Sequence, residues 1–120
     1  MSDVRVLVVD DEALQLELIE RALSRDGFAV RGASTLAEIA SIGAEHAPQI
    51  VLLDVNMPKV TGEQTVAAAR AAAPDARVIL YSSWEASKLR AIVATLGADG
   101  YLSKSESVVA IGARLREILR

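Results

Sequence analysis

The chain has 120 residues, the size of one ordinary domain with one hydrophobic core. Hydrophobic residues make up 52% of it and aromatic residues only 3%, which excludes intrinsic disorder and predicts an aliphatic core. The absence of cysteine excludes disulfide scaffolds and thiolate sites, and a single histidine, His46, excludes a multi-histidine metal site. A net charge of −3 argues against direct nucleic acid binding.

The N-terminal residues do not form a signal-peptide pattern, and no apolar run approaches the ~20 residues that span a bilayer. We therefore expect a cytoplasmic protein that does not enter a membrane. The chain shows no internal repeat and no linker, so residues 1–120 are predicted to form a single domain.

The first part of the chain alternates between a strand pattern and a helical pattern. Residues 4–9 are almost continuously apolar, as in a strand that is covered on both faces. Asp11 is placed to cap the helix that follows, and Gly27 stands where a helix end favours a left-handed residue. The apolar stripe of this helix contains Leu16, Ile19 and Leu23.

The middle of the chain repeats this alternation. A second short strand is predicted over 28–31, and Thr35 with Glu38 forms a capping-box pattern for the second helix. Residues 50–53 predict a third buried strand. An alanine-rich helix then runs through 65–73 and ends at Pro74.

The last part adds two further units. A fourth strand is predicted over 78–81, a helix over 85–96 that ends at Gly97, and a fifth strand over 101–102. The final helix carries the apolar residues Val108, Ile111, Leu115 and Ile118. Five strands that alternate with five helices predict an α/β fold with a parallel sheet and helices on both faces.

Polar and charged side chains follow four of the five predicted strands. They are Asp10, Asp11 and Glu12 after the first strand, Asp54 after the third, Ser82 and Ser83 after the fourth, and Lys104 after the fifth. Ligands of open parallel sheets bind beyond the carboxyl ends of the strands, so we expect these groups to converge at one edge.

Clustered carboxylates repel each other, and Mg²⁺ with its preference for oxygen ligands would offset that repulsion. A nearby lysine adds a second positive charge, and such a site suits phosphoryl transfer. One carboxylate could itself be the nucleophile. The first turn has no glycine-rich phosphate loop, which argues against dinucleotide binding.

The order and spacing of four motifs resemble the receiver domain of bacterial two-component response regulators. The motifs are VVDDE at 8–12, DVNMP at 54–58 followed by Gly62, YSS at 81–83 and GADGYLSK at 97–104. The resemblance covers essentially the whole chain. It implies a flavodoxin-like (βα)₅ fold with strand order 2-1-3-4-5.

The resemblance also implies roles for the acidic residues. Asp54 would be the phosphoacceptor, taking a phosphoryl group from a phosphohistidine of a sensor histidine kinase or phosphotransfer protein. Asp10, Asp11, Asp54 and the backbone carbonyl of Asn56 would hold Mg²⁺.

The remaining roles concern the phosphoryl group and the response to it. Ser82, the backbone N–H of Ser83 and Lys104 would contact the phosphoryl oxygens. Tyr101 matches the family's switch aromatic, which turns inward when Ser82 moves toward the phosphate. The surface that changes would be the fourth helix, fifth strand and fifth helix. Its downstream protein target is unknown, and a homodimer stays open.

Two other function classes compete with this interpretation. The first is a pseudo-receiver, a protein-interaction module of the same fold that is never phosphorylated. The second is a metal-dependent phosphohydrolase with an aspartyl nucleophile. That class of enzyme requires a second aspartate at the position where this chain has Asn56. Such a hydrolase also usually needs a cap domain, for which this chain has no room.

Two residues depart from the family pattern. Ser105 follows Lys104 where the family usually has proline, often after a cis bond, and a cis bond before a non-proline residue costs roughly 2.5–4 kcal/mol. We expect Lys104–Ser105 to be trans with a shifted loop, or cis under strain, and Ser105 is a candidate cap for the last helix. Trp84 is predicted to hang over the acceptor or to be an exposed aromatic at a partner surface.

Overall fold

The structure is a computed structural model that describes residues 4–104 and 108–119. Its strands form one parallel sheet in the order β2-β1-β3-β4-β5, which confirms the order that the resemblance implied. The strands are β1 (Arg5–Val9), β2 (Ala29–Ala33), β3 (Ile50–Asp54), β4 (Arg77–Ser82) and β5 (Gly100–Ser103). The helices are α1 (Ala13–Arg25), α2 (Leu36–His46), α3 (Gly62–Ala72), α4 (Ala86–Leu96) and α5 (Ile111–Leu119), with a 3₁₀ turn at Val108–Ala110.

The two faces of the sheet bury two separate apolar clusters, because successive strand residues point to opposite sides. Leu7 and Val9 join the cluster that packs beneath α2, α3 and α4. Val6 and Val8 join the cluster that packs beneath α1 and α5. All five residues of β3 are buried, as expected for a central strand covered on both faces. The continuous apolar runs in the sequence arise from this double coverage.

Two predicted elements differ from the structure by more than one residue at an end, and strand pairing explains one difference and helix capping the other. The second strand runs over Ala29–Ala33, not 28–31, because it pairs along the whole of β1 as far as Val9. The third helix starts at Gly62, ahead of the predicted 65–73 segment. A capping box starts it: the Thr61 hydroxyl accepts from Gln64 N–H, and the Gln64 side chain accepts from Thr61 N–H.

The predicted cap of the first helix was also wrong. The residue before α1 is Glu12, and no side chain caps the helix there. Asp11 is exposed, whereas the carboxylate of Asp10 accepts a hydrogen bond from Glu12 N–H at 3.0 Å. The structure thus assigns the local backbone contact to Asp10 and leaves Asp11 at the surface of the sheet edge.

The glycines expected at helix ends adopt the left-handed backbone that favours glycine. Gly97 has φ +71° at the end of α4, and Gly27 has φ +90° just after α1.

The predictions for Ser105 fall outside the described residues. No helix in the described part of the chain has the length and apolarity that crossing a membrane requires.

We predict that Thr61→Ala destabilises the domain, because it removes the capping box that starts α3. The expected loss is about 1 kcal/mol, or a fall of ~4 °C in Tm for a domain of this size. Urea or thermal unfolding measures it. Thr95→Ala is the matched control, since the Thr95 hydroxyl only donates to the Ala91 carbonyl within an exposed part of α4. Equal stability of the two variants would contradict the capping argument.

Candidate functional site

Strand pairing brings the acidic residues together at one edge of the sheet. Val9 of β1 is the register partner of Leu53 in β3. Asp10 and Asp54, which follow these two residues, therefore lie side by side. By strand alternation both carboxylates belong to the face that α1 and α5 cover. The convergence expected from the sequence is a direct result of this register.

Three carboxylates form a tight cluster at this edge. One oxygen from each of Asp10, Asp11 and Asp54 lies within 4.8 Å of the others. Asp10 is 1% exposed and Asp54 is 3% exposed, whereas Asp11 faces solvent. Two buried acidic groups and one exposed group thus share a small volume, with the exposed group at its opening.

Lys104 supplies a positive charge to the buried pair. Its Nζ lies 3.5 Å from Asp10 Oδ2 and 3.5 Å from Asp54 Oδ1. The backbone holds this lysine in place, because Lys104 N–H donates to the Ser82 carbonyl at 2.7 Å. Asp54 Oδ1 also accepts a hydrogen bond from Asn56 N–H at 2.9 Å. One lysine therefore lies beside a cluster of three carboxylates, so the net charge of the cluster is negative.

The pKa of Asp54 reflects this balance. Burial raises the pKa of Asp54 above its ordinary value of 3.8, the hydrogen bond from Asn56 N–H and the charge of Lys104 lower it, and the neighbouring Asp10 raises it again. The net direction is upward, so the charged form of Asp54 is disfavoured in the fold. An additional cation at this edge would reverse that penalty.

The residues fit the Mg²⁺ that the resemblance implies. Asp10 Oδ2 is buried and has no hydrogen-bond partner among the described residues, so a strong acceptor points into the site. Together with oxygens of Asp11 and Asp54 it offers the all-oxygen donor set that Mg²⁺ prefers. Asn56 lies beside this set, since its N–H contacts Asp54.

The predicted phosphate-contacting residues lie at the end of β4. Ser82 is 1% exposed, and its hydroxyl accepts a hydrogen bond from Trp84 N–H at 3.1 Å. Ser83 is exposed in the loop that follows. Lys104 reaches the carboxylates directly, whereas Ser82 contacts the backbone of its own loop through Trp84 N–H and the backbone of Lys104 through its carbonyl.

Tyr101 lies on β5 as predicted. It is half-buried and packs against the cluster beneath α2, α3 and α4. Its register partner is Leu80, and Ser82 lies two residues further along β4 on the same face of the sheet. Ser82 and Tyr101 therefore share the face that α4 covers.

Trp84 lies in the loop that joins β4 to α4. Its half-buried ring lines a cleft of about 140 Å³ at the start of α3, together with Val55, Gly62, Leu96 and other residues of α3 and α4. Lys88 Nζ lies 4.0 Å from the centre of the indole ring. Val55 directly follows Asp54, so the tryptophan borders the loop that follows β3.

Sequence reasoning missed one aromatic residue of the site. The Nζ of Lys104 lies 5.2 Å from the centre of the Tyr81 ring, and this ring is 2% exposed. The motif YSS contains Tyr81, but nothing in it distinguishes a core tyrosine from one that contacts the lysine. The signal that would have found it is strand register, because Tyr81 is the partner of Asp54.

We predict that Asp54→Asn stabilises the protein when divalent cations are absent. Asparagine keeps the shape and the acceptor for Asn56 N–H but removes a buried charge from an acidic cluster. The expected gain at neutral pH is roughly 1 kcal/mol, or ~4 °C in Tm.

The raised pKa of Asp54 sets the sign of the pH dependence. The folded state binds this proton more tightly than the unfolded state, so wild-type stability falls as pH rises through the raised pKa. The advantage of Asp54→Asn should therefore shrink at mildly acidic pH. Thermal unfolding of both proteins in a chelating buffer measures it. A destabilised Asp54→Asn protein at neutral pH would show that the ion pair with Lys104 outweighs the repulsion.

Comparison with known proteins agrees with this geometry. Residues 6–116 match the response regulator receiver domain family. The chain is 37% identical over 116 residues to the transcriptional regulatory protein PrrA of Mycobacterium tuberculosis, covering 97% of this chain and 50% of that protein. It is 32% identical over 117 residues to the response regulator MprA of Mycolicibacterium vanbaalenii, covering 98% of this chain and 51% of that protein. The chain thus spans about half the length of these relatives.

Solved structures show the same fold. The chemotaxis response regulator CheY4 of Vibrio cholerae superposes with a TM-score of 0.84 at 22% identity, with 98% of this chain and 99% of that chain covered. A response regulator signal receiver domain from Bermanella marisrubri superposes with a TM-score of 0.83 at 30% identity, covering 99% of this chain and 100% of that chain. With its acidic cluster, its strand order and its match over nearly the full length, this chain belongs to the receiver domain family of two-component response regulators, which are signalling domains rather than classical enzymes.

Proposed function

We propose that this domain is a phosphoacceptor switch in which Asp54 is the phosphorylated residue. The observation that carries the proposal is the placement of Asp54: a buried carboxylate inside an acidic cluster, with an ammonium group 3.5 Å away. A buried carboxylate serves as a nucleophile, and the surrounding charges suit a transferring phosphoryl group.

In the proposed reaction an oxygen of Asp54 attacks the phosphorus atom of a phosphohistidine on a sensor kinase or phosphotransfer protein. A phosphorus–oxygen bond forms, the phosphorus–nitrogen bond breaks, and the imidazole, protonated on its other ring nitrogen, leaves as a neutral ring with the bonding electron pair. Lys104 neutralises charge on the phosphoryl oxygens as they approach Asp54. The product is an aspartyl phosphate that brings close to two negative charges into the site.

That added charge explains the need for a divalent cation. Asp10 and Asp11 carry two negative charges beside Asp54, and Lys104 offsets only one. When bound, Mg²⁺ would supply positive charge to the phosphoryl oxygens. Asp10, Asp11, Asp54 and the Asn56 carbonyl are the groups of this chain that would hold it.

The switch itself depends on groups that prefer different partners before and after phosphorylation. The Ser82 hydroxyl is held by Trp84 N–H in this structure, and an acceptor-rich phosphoryl group would draw it away as a donor. Tyr101 occupies the same face of the sheet and would turn inward into the space that Ser82 leaves. Ser83 would contribute its backbone N–H to the phosphoryl oxygens.

The face that would respond is α4, β5 and α5. In α4 only Leu89 is fully buried, so this helix is held by fewer core side chains than α1 or α3. Elements with few buried apolar contacts shift at a low free-energy cost. We propose this face as the contact for a downstream protein, whereas a net charge of −3 does not favour nucleic acid.

Incubation with Mg²⁺ and acetyl phosphate tests the acceptor assignment. We expect a mass gain of one phosphoryl group, located on Asp54 by peptide mass spectrometry and absent from Asp54→Asn. Asp75→Asn is the matched control, because Asp75 is exposed at the opposite end of the sheet.

The other outcomes would contradict the proposal in different ways. No adduct together with no Mg²⁺ affinity would identify a pseudo-receiver. Rapid multiple turnover of acetyl phosphate without an accumulating adduct would identify a phosphohydrolase. A stable adduct on another residue would overturn the assignment to Asp54.

We further predict that Trp84 slows hydrolysis of the aspartyl phosphate by restricting the approach of water. Trp84→Ala should lose its phosphoryl group several-fold faster than the wild type, because the cleft at the start of α3 would open. Trp84→Phe, which keeps an aromatic ring, should fall between the two. The decay of the adduct after removal of acetyl phosphate measures the rate, and an unchanged rate in Trp84→Ala contradicts the prediction.

A further inference from the structure

The electron-rich face of Tyr81 is directed toward the one lysine of the site. Lys104 Nζ lies over the Tyr81 ring at 5.2 Å from its centre, inside the ~6 Å range of a cation–π contact. We propose that Tyr81 is a positioning residue whose ring holds the Lys104 ammonium between Asp10 and Asp54.

The sheet fixes the ring in this position. Tyr81 is the register partner of Asp54 on one side and of Leu102 on the other, so β4 is held by both neighbours. Register partners of parallel strands point to the same face, which places the ring beside the acceptor carboxylate. The ring is 2% exposed and belongs to the apolar cluster beneath α1 and α5, so it has little freedom to move.

Lys104 needs such a contact because its two carboxylate partners do not fix its position. Both nitrogen–oxygen distances are 3.5 Å, which is longer than the 2.7–2.9 Å typical of a charge-assisted hydrogen bond. A lysine side chain is a flexible stem that carries a point charge. The two carboxylates attract the ammonium without selecting one site, and the ring adds a third attraction from a fixed direction.

The alternative is that Tyr81 only fills the core. An aliphatic side chain would satisfy that need, whereas the ammonium contact requires a ring with an electron-rich face. The two roles can therefore be separated by changing the electron density of the ring while keeping its volume.

The first test replaces Tyr81 with phenylalanine and with a phenylalanine that carries three ring fluorine atoms. Because phosphorylation is its readout, this test rests on the proposed function. At limiting acetyl phosphate with Mg²⁺ we expect Tyr81→Phe to react within twofold of the wild type. The fluorinated ring should react about fivefold more slowly, since fluorine withdraws the electron density that attracts the cation.

Two controls belong with this test. In a Lys104→Met background the two rings at position 81 should give equal rates, because the cation is gone. The same fluorinated ring at Phe28 should leave the rate unchanged. Phe28 is a buried ring of the same cluster with the Arg116 guanidinium over it, but it is remote from the acidic edge. Equal rates for plain and fluorinated rings at position 81 would overturn the proposal.

The second test does not depend on phosphorylation. In the resting protein the ε-methylene protons of Lys104, assigned by their absence in Lys104→Met, should show an upfield ring-current shift in NMR spectra. Tyr81→Phe should keep this shift and Tyr81→Leu should remove it, with Tyr81→Met as the substitute if the leucine variant does not fold. An unshifted Lys104 in the wild type would overturn the positioning role. A shifted Lys104 in a protein that forms no adduct would overturn only the proposed function.

Discussion

The electrostatic repulsion among the carboxylates at one edge of the sheet is the constraint on which the properties of this domain depend. Asp10 and Asp54 are nearly inaccessible to water, and the parallel register of β1 and β3 places them next to each other. Burial disfavours the charged form of Asp54, and the neighbouring Asp10 adds to that cost. Lys104 compensates only part of the negative charge, so the site is poised to gain stability from any cation that binds it.

This unbalanced site is tolerated because the central strands β1, β3 and β4 are covered on both faces. The central strand is buried along its length, and separate clusters beneath α2, α3 and α4 and beneath α1 and α5 pack its two faces. Burial of apolar surface contributes roughly 25 cal/mol per Å², so such a core offsets a local electrostatic cost of a few kcal/mol. The sheet edge can thus hold a cluster of like charges without loss of the fold.

The two faces of the sheet also hold different residues of the site. Asp10, Asp54 and Tyr81 belong to the face covered by α1 and α5, whereas Ser82 and Tyr101 belong to the face covered by α4. The proposed chemistry at Asp54 and the proposed conformational response would therefore meet at the end of β4, where Tyr81 and Ser82 are consecutive residues. A shift of the end of β4 would change side-chain packing on both faces of the sheet.

The sequence by itself determined the alternation of strands and helices, because apolar runs and helical stripes are local patterns. It also determined the set of strand-end residues, and with the family resemblance it predicted the strand order. The tertiary structure alone decided which of these residues touch. Two local details were missed for another reason. Asp10 rather than Asp11 makes the backbone contact before α1. The capping box that starts α3 at Gly62 has a sequence pattern, Thr61 followed three residues later by Gln64, that could have predicted it. The contact between Lys104 and the Tyr81 ring depends on the register of β3 with β4 and on a side chain that arrives from β5. That contact joins residues from separate strands, so no local pattern in the sequence encodes it.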